Sequence, residues 1–194
     1  ASQPFTSAVI MSNPKLFKYS LVYEKSTPTG HLNAKKMPLR THEDILVFYK
    51  KLPTYNPQKT IGHARKVAKA ISRAKSITRN NFKDKVYNNE MEDKVTDYDS
   101  TERYPRSVLK FSTDKQKSTL HPTQKPVALM KYLIKTYSNK GDIILDFTMG
   151  SGTTGVAVEE LNRDEDLDLS FIGIENDDKY FDIAKNRIED IKRK

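Results

Sequence analysis

The chain has 194 residues, enough for one domain with an insertion, and an apolar content of 36% that supplies a modest core. It has no cysteine, which excludes disulfide frameworks and thiolate metal sites; it has neither a long apolar span nor a charged-then-apolar opening, so a cytoplasmic setting away from membranes is expected. The formal net charge of +9 is uneven: residues 119–194 hold 11 Lys or Arg against 14 Asp or Glu, a balance of −3, and the residues before them carry +12.

In chain order, Asn13-Pro14 and Asn56-Pro57 read as turns. His42-Glu43 reads as a turn-closing pair ahead of a buried strand. It is no metal motif, since His-Glu-x-x-His would need a histidine where Leu46 stands. From about Tyr55 to Ser118 the composition changes. Lys59, Arg65, Lys66, Lys69, Arg73, Lys75, Arg79, Lys83 and Lys85 stand against one acid, Asp84, a pattern suited to neutralising phosphates with steep salt dependence. Val67, Ala68 and Ile71 fall at helical spacing, so Ala64 to Ala74 is expected to be a helix with its cations outward. Arg65, Arg73, Arg79, Asn80 and Asn81 have the chemistry to read base edges. Asn88 to Thr101 is polar and reads as a flexible loop, and Tyr104 to Phe111 as a returning strand.

The segment His121-Pro122-Thr123-Gln124-Lys125-Pro126 reads as an extended lead-in, with Pro126 suited to a first helical turn. Val127, Leu129, Met130, Leu133, Ile134 and Tyr137 then mark an amphipathic helix. Asp142-Ile143-Ile144-Leu145 forms a strand that runs into Asp146-Phe147-Thr148-Met149-Gly150-Ser151-Gly152-Thr153-Thr154-Gly155, a glycine turn opening a helix. Gly150 and Gly152 are expected to let backbone and ligand approach, and Gly155 to let the helix pack on the sheet. A second strand, Phe171 to Ile174, delivers Glu175, placed to accept ribose hydroxyls, with Asn176 and Asp177 beside the adenine. The glycine spacing alone does not choose between a nicotinamide dinucleotide and S-adenosylmethionine. Asp146 at the strand end would repel a pyrophosphate and attract a sulfonium and an ammonium, which favours the cationic cofactor. Asp177 to about Ile191 reads as a last helix, buried along Tyr180, Phe181, Ile183, Ala184, Ile188 and Ile191 and charged at its ends to suit the helix dipole.

The order His121 to Pro126, helix, strand, Asp146 to Thr154, helix, strand, Gly173-Ile174-Glu175 closely resembles the amino-methylating DNA methyltransferases of the circularly permuted beta group. Phe17 to Lys25, Leu32 to Lys36 and His42 to Phe48 resemble the final strand pair of its phage and bacterial adenine-specific members, joined by a basic segment around Asn33. The resemblance covers about residues 1–58 and 104–191. It implies an α/β, Rossmann-like methyltransferase sheet in permuted order, with a hairpin at 1–54, a basic target-recognition insert at 55–118 and a cofactor-binding part at 119–194. It implies S-adenosylmethionine held by His121, Thr123, Lys125, Asp146, Phe147, Thr148, Gly150, Gly152, Thr153, Thr154, Glu175 and Asn176, and DNA held by Lys35, Lys36, Arg65, Lys66, Lys69, Arg73, Lys75 and Arg79. The implied reaction is methylation of adenine N6 in double-stranded DNA after base flipping, with cytosine N4 as the close rival.

The family's methyl-transfer motif, Asp, Asn or Ser before Pro-Pro and an aromatic, is absent; no two prolines are adjacent. The strands that carry it belong between the cofactor strand and the hairpin, so the two parts of the sheet are expected to expose unpaired edges. The chain alone is therefore expected to be inactive, with an upstream segment or a second chain supplying the motif. The other readings are a noncatalytic or split fragment that binds DNA and cofactor only, and a homodimer as the assembly.

Overall fold

The computed structural model describes residues 1–68, 98–112 and 124–193. The chain divides into two compact units, one formed by residues 1–58 with 106–194 and the other by residues 59–105, so the hairpin and the cofactor half share one unit.

In the first unit, helix α1 (Phe5–Ser12) precedes strand β1 (Phe17–Thr29), which pairs antiparallel with β2 (Arg40–Phe48), Leu21 opposite Ile45 and Tyr23 opposite Glu43. A short 3-10 turn, His31–Asn33, lies in the connection. Strand β5 (Val108–Phe111) adds parallel to β1, giving the order β2-β1-β5. His42 and Glu43 therefore lie inside β2 and not at a turn before it; the ladder begins at Arg40 because Thr29 and Glu24 find partners there and at His42.

Helix α2 (Val127–Tyr137) joins two hydrophobic clusters. Its Leu129 packs with Tyr23 of β1 and Leu109 of β5, while Ile134 packs with Ala157, Val158 and Leu161 of helix α3 (Thr153–Glu165) and with Leu169; Met130 touches both clusters. Pro126 caps it with an extended backbone, as a proline should at a helix start. At the other end, the Asn56 side-chain amide donates to the carbonyls of Lys135 and Ser138, while the Asn56 N–H donates to Thr136. Asn56 thus satisfies carbonyls left over at the helix terminus.

The C-terminal part holds a two-stranded parallel sheet, β6 (Ile143–Asp146) beside β7 (Ser170–Gly173), followed by helix α4 (Asp178–Lys192). Ile144 and Phe171 pack with the α3 cluster, whereas Ile143, Leu145 and Ile172 on the opposite face are each at least half exposed. The Asp177 carboxylate accepts from the Tyr180 N–H and caps α4. Only Ala184 of the apolar face expected for this helix is fully buried, and Phe181 is 42% exposed; α4 meets α3 through Ala184 at Gly152 and Ile188 at Gly155.

The second unit holds β3 (Lys66–Ala68) paired antiparallel with β4 (Tyr98–Ser100). These strands correct two expectations. Residues 66–68 are extended where a helix over 64–74 was expected, and residues 98–100 are a strand where a flexible loop was expected. Residues 69–74 lie outside the described residues. Cross-strand pairing, reinforced by the Arg65 guanidinium on the Asp99 carboxylate, outweighs a helical period carried by three small apolar residues.

Gly152 has a left-handed φ of 75°, and a Cβ there would lie 2.8 Å from Ala184 Cβ and 2.9 Å from Ala184 Cα. Gly141 has a similar φ of 83° but open space around it. Gly141→Ala is expected to cost about 1 to 2 kcal/mol for the backbone alone, and Gly152→Ala about 3 to 4 kcal/mol once the packing clash is added. Urea denaturation of both variants measures the difference.

Candidate functional site

A cavity of about 280 Å³ opens where β6 ends, lined by Gln124, Lys125, Met130, Asp146, Thr148, Met149, Gly150, Ser151, Thr153 and Thr154. Its floor is the glycine turn, and two carboxylates fix that turn. Asp146 Oδ1 accepts from the Thr148 N–H at 3.1 Å and Oδ2 from the Thr154 hydroxyl at 2.6 Å. Glu175 Oε2 accepts from the Gly150 N–H at 2.8 Å, and its Oε1 from the N–H groups of Asn176 and Asp177. The N–H of Met149 goes to the Ile174 carbonyl and that of Gly152 to the Met149 carbonyl. Four amides of the turn are thus already bonded within the protein, two of them to anions. With two carboxylates on the turn and Asp146 at its lip, the local charge favours a cation.

The far side of the turn is held from α4. The Arg187 guanidinium donates to the Ser151 carbonyl and hydroxyl. On the other wall, Lys125 Nζ lies 2.6 Å from Glu43 Oε2 of β2, and Lys25 Nζ lies 3.8 Å from Glu43 Oε1. Burial pushes the Glu43 carboxyl up, but the hydrogen bond from Lys125 and the charges of Lys125 and Lys25 hold it below the usual carboxylate range.

Of the cofactor residues expected from sequence, Lys125, Asp146, Thr148, Gly150, Thr153 and Thr154 come together around this cavity. Phe147 is 71% exposed and does not line it. Gly152 faces Ala184 and not the cavity, so its missing side chain serves helix packing where ligand approach was expected. Glu175 and Asn176 do not line it, and the Asn176 N–H donates to the Glu175 carboxylate. His121 and Thr123 lie outside the described residues, as do Lys69, Arg73, Lys75 and Arg79. Lys35 and Lys36 are exposed just after the 3-10 turn, and Lys66 is exposed on β3. Arg65 is engaged by Asp99.

Sequence reasoning did not assign Gln124, Met130, Met149 and Ser151 to the site, though three of them lie inside the two motifs. Glu43 and Arg187 carry no local signal at all, since their partners are distant in sequence. Among the described residues there is no group of His, Asp and Glu able to hold a metal ion, and no helix long and apolar enough to cross a membrane.

A family model described as DNA methylase, of the N6/N4 type, matches residues 7–186. The chain is 35% identical over 99 residues to the type II methyltransferase M.HinfI of Haemophilus influenzae, covering 47% of this chain and 26% of that protein. It is 45% identical over 69 residues to the type II methyltransferase M2.DpnII of Streptococcus pneumoniae, covering 36% of this chain and 24% of that protein. The chain thus spans about a quarter of the length of these curated relatives. Among solved structures, the M1.HpyAVI–SAM complex superposes with a TM-score of 0.59 at 26% identity, covering 97% of this chain and 71% of that one. The cytosine-N4-specific PvuII DNA methyltransferase, at 14% identity and a TM-score of 0.58, covers 97% of this chain and 60% of that one and shares the fold.

The Glu175 carboxyl is held below its usual range, chiefly by the Asp177 N–H and then by those of Gly150 and Asn176. A depressed folded-state pKa gives stability that is fully present above the unfolded value of about 4.3 and is lost as pH falls through the folded value. Glu175→Gln is therefore expected to be less stable than the wild type at neutral pH, with the gap closing below about pH 4. Chemical denaturation across a pH series reads this directly.

Proposed function

The chain belongs to the N6/N4 DNA methylase family, whose model spans most of its length, and from that membership we propose that it is the cofactor-binding and DNA-facing part of a methyltransferase acting on adenine N6 in double-stranded DNA. The observation that carries the reading is the pair of carboxylates on the glycine turn, Asp146 taking the Thr148 amide and Glu175 the Gly150 amide. Such a turn suits S-adenosylmethionine and not a pyrophosphate cofactor. When bound, that cofactor supplies a methyl group on a sulfonium, whose carbon–sulfur bond breaks as the bond to the exocyclic nitrogen forms.

In this reading Asp146 attracts the cationic methionine end, and Lys125, Thr148, Gly150, Thr153 and Thr154 enclose it. Glu175, with three of a carboxylate's roughly four acceptor positions already filled, keeps one for a ribose hydroxyl. Lys35, Lys36 and Lys66, together with the basic residues up to Arg79, meet DNA phosphates in a cytoplasmic setting. The preference for adenine over cytosine rests on the likeness of the hairpin, residues 17–58, to adenine-specific members. The Pro-Pro motif that orients the extruded base comes from another polypeptide segment, which the exposed Ile143, Leu145, Ile172 and Ile174 are suited to meet. A homodimer and a noncatalytic binding fragment are the competing assemblies.

Calorimetry is expected to show S-adenosylmethionine binding and no dinucleotide binding, with Asp146→Asn weakening the former about tenfold and leaving DNA affinity unchanged. Binding of the dinucleotide alone would sink the reading. Changing Lys35, Lys36 and Lys66 together to Gln is expected to lower DNA affinity and reduce the slope of log affinity against log salt by about two to three, without changing cofactor affinity. Radioactive cofactor should label DNA only when a polypeptide carrying the Pro-Pro motif is added or fused; labelling by this chain alone would show that the motif is dispensable.

A further inference from the structure

The cavity wall contains a cation, Lys125, facing a site proposed for a ligand that is itself cationic. Left alone, that ammonium would oppose the field of Asp146 across the cavity. It is not left alone. Glu43, on a strand more than eighty residues earlier, places Oε2 at 2.6 Å from Lys125 Nζ, and the pair is sheltered, with side-chain exposures of 24% for Glu43 and 37% for Lys125. Lys25 of the neighbouring strand, only 10% exposed, approaches the other oxygen at 3.8 Å. Glu43 thus sits among the ammonium groups of Lys125, Lys25 and the Ala1 terminus, and of these Lys125 lines the cavity.

We propose that Glu43 is a charge-positioning residue of the cofactor site: it fixes and neutralises Lys125, so that the cavity favours the sulfonium of the methyl donor over the uncharged thioether of the spent cofactor. This inference rests on the S-adenosylmethionine reading above. It goes beyond that reading in assigning donor–product discrimination to an ion pair between the hairpin and the lead-in to α2. The two ligands differ by one methyl group and one positive charge, so a change of potential at the cavity acts on one and spares the other. Loss of shape or of packing would weaken both alike.

The test is calorimetric titration of S-adenosylmethionine and S-adenosylhomocysteine into the wild type, Glu43→Gln, Lys125→Met and the double variant. Glu43→Gln keeps the side-chain shape and removes the charge; it is expected to weaken the donor about tenfold and the product less than about twofold. Lys125→Met is expected to move the donor-to-product affinity ratio the opposite way, and the double variant to return it close to the wild-type ratio. Equal weakening of both ligands in Glu43→Gln, or an unchanged ratio, overturns the inference while leaving the cofactor assignment standing. Failure of the wild type to bind either ligand overturns both.

Discussion

Two carboxylates turned inward onto a glycine turn are the constraint on which the β6–β7 half of the molecule depends. A strand that ends in glycines and opens a helix ordinarily offers free N–H groups to an anion. Here Asp146 takes the amide of Thr148 and Glu175 that of Gly150, so the turn carries its own anions. The Glu175–Gly150 bond also ties the segment after β7 to the turn after β6, two adjacent parallel strands. Fold and ligand preference therefore come from one set of contacts. An electronegative lip and a rigid turn cannot be separated by mutation of either residue without affecting the other property.

Helix α2 carries that constraint to the hairpin. It contributes Leu129 to one hydrophobic cluster and Ile134 to the other, and Met130 lies where they meet. Its N-terminal lead-in places Lys125 at the cavity, while its C-terminal carbonyls are taken by Asn56 beyond the hairpin. The Tyr19 and Tyr137 hydroxyls, 2.9 Å apart, add a polar contact between β1 and the last turn of α2. A helix fixed at both ends and packed on both sides gives the cavity a wall that does not depend on the ligand for its position.

How much of this was legible in the sequence follows from how local each interaction is. The helix at 127–137 is set by a proline start and an apolar period within its own eleven residues, and it occurs where the spacing puts it. Strand, turn and helix around Gly150 are likewise encoded in one continuous stretch. Glu43 on Lys125, Arg187 on Ser151 and Asn56 on the end of α2 join residues tens of positions apart, and no periodicity reports such pairs. The segment after Ala64 misled for a related reason. Val67 and Ala68 are adjacent, which suits a helical stripe as well as a strand, and Asp99 on the partner strand resolves the ambiguity. At Gly152 the residue type was informative and its cause was not, because Ala184 and not a ligand occupies the space.

The exposed side of the β6–β7 sheet bears on what the family fold requires of this chain. Parallel strands buried on both faces read as nearly continuous apolar runs, and strands with one wet face alternate with polar residues. Ile143-Ile144-Leu145 and Phe171-Ile172 have the first pattern, although only Ile144 and Phe171 pack with the α3 cluster. Ile143, Leu145, Ile172 and Ile174 are 65%, 57%, 50% and 54% exposed, and Leu145 and Ile172 are direct partners across the strand pair. Scattered apolar side chains on a surface need no explanation, but several on one side of a two-stranded sheet suit burial. The residues on this face are those of an interior, and their exposure makes it the side of the sheet best suited to pack against further polypeptide.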